Sequence, residues 1–322
     1  MPQVPSVHLP LLGLHVRLGR KRLAVLPQVP SLSRYLLRDV PTPPAAIDYA
    51  AKAMPSIRNN YLNMQLGSCV IAGKMHSIGI WSGNDAPNIP VLFTNADVIR
   101  YYGVIGGYVS GQPWTDRGCN IVDALNYLKN TGFNGHKIAG YVSVDVANKV
   151  EVQVAIDLFG SLTLGINTPN AWINHATEGA IWGPAQPNPR QGHDVCSCGY
   201  SDVGVQVCTW GLIVTITWDA LANKQIVEEC YAVLGMDWTG PDQIAPPGVS
   251  LSQLVTDLQI LGGGQVPPLP LPPAPDPNPP PTPLPPGPVA TSRTLDLSVQ
   301  DFTPSGQAKL KAFGAQRLTI QA

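Results

Sequence analysis

The sequence predicts an α+β fold with two lobes, a helical lobe followed by a lobe of antiparallel strands, and after them a proline-rich linker and a short tail. Between residues 45 and 246, the first half carries apolar residues at helical spacing, whereas the second half carries short β-rich segments. Charged residues make up only 13% of the 322-residue chain, which is well below the usual share. This composition argues against a coiled coil or a solvated helical bundle.

The elements of the two lobes follow from local periodicity. Helices are predicted over residues 68–82, 119–129 and 150–159, with a further helix near residues 218–234. Strands are predicted over residues 137–144, 161–166, 195–200 and 205–209. Helices that precede a strand-rich half favour two lobes with a cleft between them, and such clefts are common substrate sites.

The flanking segments differ from this domain at 45–246. Residues 1–44 are rich in proline and carry an excess of basic residues, so we interpret them as an extended basic arm. Because the domain is acidic, we expect the arm to pack along it and to leave the cleft partly open. Residues 247–292 are interpreted as a Gly/Pro-rich linker, with 14 prolines among residues 267–288, and residues 293–322 as a C-terminal tail.

Charge and hydropathy disfavour several function classes. The net charge of −1 gives no global attraction to nucleic acid, and no apolar run approaches the roughly 18 residues that a membrane span needs. The apolar stretch at residues 9–14 precedes the basic cluster, which is the reverse of a secretory signal peptide. We therefore expect no nucleic-acid partner, no membrane association, no signal peptide, and a cytoplasmic or virion-associated location.

Three short stretches carry candidate chemistry. Cys69 opens a predicted helix after a Gly-Ser turn, where Ser68 is the predicted N-cap and the helix dipole favours a thiolate. His193 stands at the entrance of an apolar strand, and Cys208 and Trp210 lie at the end of the next one. A lone cysteine or histidine is more often a packed structural residue, so only the three stretches together, in this order, indicate a catalytic site.

In this order the stretches resemble the papain-like cysteine peptidase superfamily over roughly residues 55–240, and more closely a divergent group of papain-like proteins from phages and bacteria. The resemblance rests on the Gly-Ser-Cys turn into a helix, the Gly-His-x-Val strand and the Trp-Gly pair. Features shared with the divergent group are Leu18-Gly19-Arg20-Lys21, Ser33-Arg34-Tyr35-Leu36, Thr115-Asp116-x-Gly118 and Gly135-His136-Lys137-Ile138.

The resemblance implies roles for individual residues. Cys69 would be the nucleophile, His193 the base that deprotonates it, and Asn63 the side-chain donor of an oxyanion hole. Trp210 would shield the pair, and Cys208 stands where the family has the asparagine that orients the imidazole. Since a thiol is a poor acceptor for an imidazole N–H, this departure points to a weakened or inactive dyad.

The resemblance also implies a substrate and leaves alternatives open. A peptide or protein substrate would lie across the cleft, with Asp116 and Gly118 in the substrate-binding stretch. The leading function is thiol-dependent hydrolysis of peptide bonds by a Cys-His dyad. The alternative is a catalytically weak or inactive papain-like structural or binding module, for example of a phage particle, whose tail meets a protein partner. A third and weaker option is cleavage of peptidoglycan amides. No cofactor is expected.

Strand parity disfavours a metal site. Cys196, Cys198 and Cys208 fall in the predicted strand pair, and His193 precedes them. Because Cys196 and Cys198 share one face of the strand while His193 lies on the other, a tetrahedral set would need a bulge. We expect buried thiols and no metal, and we expect no disulfide although a Cys196–Cys208 bridge is geometrically feasible. His76, on the helix of Cys69, is a weaker rival to His193.

Overall fold

The computed structural model describes residues 4–23, 29–34, 42–85 and 87–238, together with the backbone of two strands at 294–298 and 317–321. The chain divides into two compact units, Met1–Gln265 and Val266–Ala322. The predicted linker at 247–292 lies outside the described residues, as does most of the tail. No helix in the described ranges is long and apolar enough to cross a membrane.

The described part of the first unit contains seven α-helices and ten strands. The helices are α1 (Ala50–Ile57), α2 (Cys69–Asn84), α3 (Asn95–Gly106), α4 (Ile121–Asn130), α5 (Lys149–Phe159), α6 (Asn170–Asn174) and α7 (Trp218–Leu221). The strands are β1 (Ser6–Leu9), β2 (Leu14–Arg17), β3 (Ile47–Asp48), β4 (Ile138–Ser143), β5 (Leu162–Asn167), β6 (Ile181–Trp182), β7 (Gly192–Tyr200), β8 (Gly204–Thr209), β9 (Leu212–Thr217) and β10 (Val227–Gly235). In the second unit, β11 (Thr294–Ser298) pairs antiparallel with β12 (Arg317–Gln321).

One large sheet organises the first unit. Its strand order is β4-β10-β5-β7-β8-β9-β6, with β3 also paired to β7, and its neighbours are antiparallel except for β6 and β9. All nine residues of β7 are buried, because this strand is central and covered on both faces. β1 and β2 form a separate antiparallel hairpin near the N-terminus.

Two apolar cores give the unit its lobes. Helices α2, α3 and α4 enclose one core, and the sheet with α5 encloses the other. Helix α2 is buried along nearly its whole length, including Lys74, which pairs with Asp194 of β7, and it packs against that strand. Helix α3 begins with a capping box between Thr94 and Asp97 and ends at Gly107 in the left-handed conformation. Because α2 packs against β7, its N-terminus faces the strand that carries His193.

The predicted elements are confirmed with one exception. The helices expected at 68–82, 119–129 and 150–159 correspond to α2, α4 and α5, and the four expected strands correspond to β4, β5, β7 and β8. The helix expected near 218–234 is wrong beyond its first turn, since α7 ends at Leu221 and β10 begins at Val227. Strand β10 lies between β4 and β5 and is largely buried, so its continuous apolar run lacks the alternation that identifies a strand.

Candidate active-site cleft

The N-terminus of α2 places Cys69 at a tightly held turn. Ser68 occupies the N-cap position but makes no side-chain cap, and its hydroxyl donates instead to the Tyr61 carbonyl at 3.2 Å. The Gly67 N–H donates to the Asp116 carboxylate at 3.0 Å. The turn before the thiol is therefore fixed by a buried carboxylate from a different loop.

The Cys69 thiol is enclosed. Burial raises its pKa to about 12, and the nearby Asp194 carboxylate adds to this shift. Hydrogen bonds from the backbone amides of Asp194 and Gly19 to the sulfur oppose the shift without overcoming it. Because Asp194 follows His193 on β7, the fold brings the predicted nucleophile next to the strand of the predicted base. In this state Cys69 is a neutral thiol.

His193 is equally buried and is held by two neighbours. Its Nε2 lies 2.7 Å from the Thr209 hydroxyl, and its ring stacks on Trp210 at a centroid distance of 4.7 Å. Its Nδ1 has no hydrogen-bond partner within the described part of the chain. Burial, together with the charge of Arg20, lowers the pKa of His193 to about 3. Thiol and imidazole are thus both shifted toward their neutral forms.

Thr209, and not Cys208, contacts the imidazole. Cys208 lies directly opposite Cys196 in the β7–β8 ladder, with the two sulfurs 2.8 Å apart. Since successive residues of a strand face opposite sides of the sheet, this register turns Cys208 away from His193 and brings Thr209 toward it. No pattern in the sequence identifies Thr209, because its contact with His193 depends on the pairing register of two strands.

The Cys208 side of the sheet faces α2. There the Cys208 sulfur lies 3.5 Å from His76 Nδ1. Burial disfavours ionisation of Cys196, but the hydrogen bond from the Cys208 thiol favours it and helps to lower the pKa of Cys196. The buried group of His76, Cys196 and Cys208 does not include Cys69.

The predicted oxyanion donor is already engaged by the N-terminal arm. Asn63 Nδ2 donates to the carbonyl of Arg17 and to that of Leu66, both at 3.3 Å. The predicted amide therefore lies beside the Cys69 turn, where it already donates a hydrogen bond to the Arg17 carbonyl of the arm.

The arm continues through the cleft. The Arg20 N–H donates at 3.1 Å to the carbonyl of Gly192, the residue before His193. The Cys119 N–H donates to the Gly19 carbonyl, and the Lys21 N–H donates to the Cys119 carbonyl, both at 3.0 Å. A Cβ on Gly19 would collide with the Gly67 carbonyl, so only glycine permits this approach. The expectation that the arm leaves the cleft partly open is therefore wrong. Gly19 has no side chain, so the main chain of the arm passes directly beside Cys69.

Arg20 anchors this crossing. Its fully buried guanidinium donates to Glu229 at 2.6 Å, Glu228 at 3.0 Å and the Asn167 side chain at 2.8 Å. Arg22 pairs with Glu228 nearer the surface. Such charge-assisted bonds to β5 and β10 fix the arm in the sheet lobe.

Asp116 and Gly118 lie between α3 and α4, where they meet the arm. Asp116 is buried and accepts from the Tyr102 hydroxyl at 2.6 Å, with Arg17 at 3.4 Å from its other oxygen. The Gly118 N–H donates to the same Tyr102 hydroxyl at 2.7 Å, and a Cβ on Gly118 would collide with the Gly19 carbonyl. Both residues contact the arm segment or the turn that holds it. A substrate-binding role for them stays a prediction.

Comparison with known proteins places the fold. No protein-family model and no curated protein matches the sequence. Among solved structures, xylellain, a cysteine protease from Xylella fastidiosa, aligns at a TM-score of 0.52 and 13% identity, covering 73% of this chain and 98% of its own. Procathepsin B S9 from Trypanosoma congolense aligns at a TM-score of 0.49 and 10% identity, covering 68% and 86% of the two chains.

A third solved structure gives a weaker alignment. The Carica candamarcensis cysteine protease CMS1MS2 aligns at a TM-score of 0.41 and 13% identity, covering 59% of this chain and 98% of its own. At 13% identity the xylellain alignment establishes the architecture alone and leaves the roles of Cys69, His193 and Asn63 as predictions. The α+β arrangement, with the N-terminus of α2 set against a large antiparallel sheet, is the fold of the papain-like cysteine proteases.

Proposed function

We propose that this cleft binds an extended peptide and hydrolyses one of its bonds through the Cys69 thiol, with His193 as the base, once the arm segment 17–21 has left. The observation that carries the proposal is how that segment is held. Its main chain bonds to Gly192 on one wall and to Cys119 on the other. Main-chain hydrogen bonding of this kind binds extended peptides with little dependence on their side chains.

The proposed reaction uses the residues around the α2 terminus. The Cys69 thiol gives its proton to His193, and its sulfur bonds to the substrate carbonyl carbon. The Asn63 side chain and the Cys69 backbone N–H hold the resulting oxyanion. When the intermediate collapses, the C–N bond breaks and His193 returns the proton to the leaving amine. Water then hydrolyses the thioester and regenerates the thiol.

The arm segment accounts for the neutral state of the pair. Burial is the main cause of both pKa shifts, upward for Cys69 and downward for His193. If segment 17–21 leaves, water reaches both groups, and both pKa values move toward their ordinary range. Departure of the arm would therefore open the cleft and favour proton transfer from thiol to imidazole in one step.

A non-catalytic binding module is the second candidate. The same arm contacts that resemble a bound peptide also occupy the Asn63 amide and bury Arg20 completely. In that case the segment is a permanent strand of the fold, and the Cys69 thiol never meets a substrate.

A single added methyl group separates these candidates. In Gly19→Ala the new Cβ overlaps the Gly67 carbonyl, whereas in the control Gly183→Ala it meets no atom within 4 Å. Overpacking costs about 1–3 kcal/mol, so we expect Gly19→Ala to speed labelling of Cys69 by a thiol-directed epoxide roughly tenfold. Peptide turnover should rise with it, and Cys69→Ala should remove both signals.

The possible failures point to different conclusions. A folded Gly19→Ala protein that labels at Cys69 but cleaves no peptide would support the binding module. Unchanged labelling in a folded Gly19→Ala protein would contradict the gating role of the arm. Equal labelling in Gly183→Ala would show that the effect is not specific to the cleft.

A further inference from the structure

A second constellation of reactive side chains lies away from Cys69, inside the unit between α2 and the sheet. It consists of His76, Cys196 and Cys208, whose ligand atoms all lie within 4.8 Å of one another. All three residues are almost completely buried, with exposed fractions of 2%, 0% and 1%. The peptide chemistry proposed above uses none of them.

The orientation of His76 is fixed by a backbone group. Its Nε2 lies 2.8 Å from the Asn59 carbonyl, which can only accept, so Nε2 carries the proton. Nδ1 is therefore the unprotonated nitrogen, and it faces the Cys208 sulfur at 3.5 Å. Histidines that bind metals are usually held in this way, with the second ring nitrogen donating to a carbonyl or carboxylate.

Of the three separations between ligand atoms, which all lie within 4.8 Å, one fits a metal ion as it stands and a second needs a change of about 1 Å. Zinc–sulfur and zinc–nitrogen bonds of about 2.3 and 2.05 Å in tetrahedral geometry place S and N about 3.5 Å apart and two sulfurs about 3.8 Å apart. The Cys208–His76 separation of 3.5 Å matches the first value. The Cys196–Cys208 separation of 2.8 Å must widen by about 1 Å, which side-chain rotation can supply.

We propose that His76, Cys196 and Cys208 bind one thiophilic d10 metal ion through one imidazole nitrogen and two thiolates. Soft sulfur ligands select Cu(I) and Zn²⁺ among biological cations. A shell of three protein ligands suits Cu(I), whereas Zn²⁺ would be neutralised by the two thiolates but would need a fourth ligand. The surrounding buried side chains include the apolar Ala53, Ile57 and Ile80, and the Tyr61 ring packs on His76. Because the site is buried, the ion enters as the chain folds.

Strand parity explains why the sequence pattern concealed this site. The histidine close to these cysteines in the sequence is His193, which faces the other side of β7 toward Thr209. The histidine that meets them comes from α2, more than a hundred residues earlier in the chain. Helix α2 packs against β7, and this packing creates the constellation.

A cross-strand disulfide is the competing outcome. Closing it joins the two sulfurs and releases two protons and two electrons to an external disulfide or peroxide. A disulfide needs no histidine, so it does not account for the orientation of His76 Nδ1 toward the Cys208 sulfur. For this reason we favour the metal ion.

The test uses the full-length chain refolded without oxygen in the presence of Cu(I) or, separately, Zn²⁺, followed by desalting and metal analysis. We expect one equivalent of one of these metals to be retained, and X-ray absorption to report two sulfur ligands and one nitrogen ligand. Cys208→Ser and His76→Gln should each reduce retention at least tenfold. The control Cys230→Ala, which removes another buried thiol on β10, should retain the metal.

Three results would overturn the proposal. The first is wild-type protein that retains neither metal. The second is a bound metal whose ligand shell lacks sulfur, a measurement that does not depend on any variant folding. The third is peptide mapping under non-reducing conditions that finds Cys196 and Cys208 joined, with a mass lower by two hydrogen atoms in protein refolded with metal.

Discussion

Replacement of Arg20 by methionine is the most direct test of how the arm is held. The Arg20 side chain is fully buried and bonds to Glu229 at 2.6 Å, and Glu229 is itself 4% exposed. Removing one partner of a buried ion pair leaves an uncompensated charge and costs about 3–5 kcal/mol. For a unit of this size, such a loss lowers the melting temperature by roughly 6–20 °C.

The assay is urea unfolding of wild type, Arg20→Met and the matched control Arg22→Met. Arg22 is about half-exposed and pairs with Glu228 near the surface, so its replacement should cost less than about 1 kcal/mol. Adding Glu229→Gln to Arg20→Met should recover part of the lost stability, because the two sites are coupled. If Arg20→Met unfolds within about 1 kcal/mol of wild type, the arm is not anchored by this network.

Three further predictions concern single side chains. Thr209→Val should cost about 1–3 kcal/mol by removing the hydroxyl partner of the buried His193, while Thr209→Ser keeps it, and urea unfolding compares the two; equal losses would contradict the assigned bond. Cys208→Asn should lower the free energy of unfolding without raising peptide turnover, because Cys208 faces α2; increased turnover would show that it reaches the imidazole. The hydrogen bond to Asp237 raises the pKa of His136, so its stabilising effect is complete below about pH 6.5 and is lost as pH rises through the higher folded-state pKa. His136→Asn should therefore be less stable than wild type near pH 5.5 and similar to it above about pH 8, and a constant difference would exclude this pair as the cause.

The sequence by itself predicted three helices and four strands of the first unit, and the position of Cys69 at the start of a helix. These features depend on local periodicity and turn chemistry, which act over a few residues. The prediction from local pattern failed at β10, because a central strand that is buried on both faces loses the alternation that distinguishes it from a helix.

Only the tertiary structure decided which side chains meet. The β7–β8 register gives His193 the Thr209 hydroxyl and turns Cys208 toward His76, and a shift of one residue would exchange these faces. The passage of Gly19 beside Cys69 depends on a close backbone approach between segments about fifty residues apart, which no local pattern encodes. The sequence thus supplied the reactive residue types, while long-range strand pairing and close packing set their partners and their protonation.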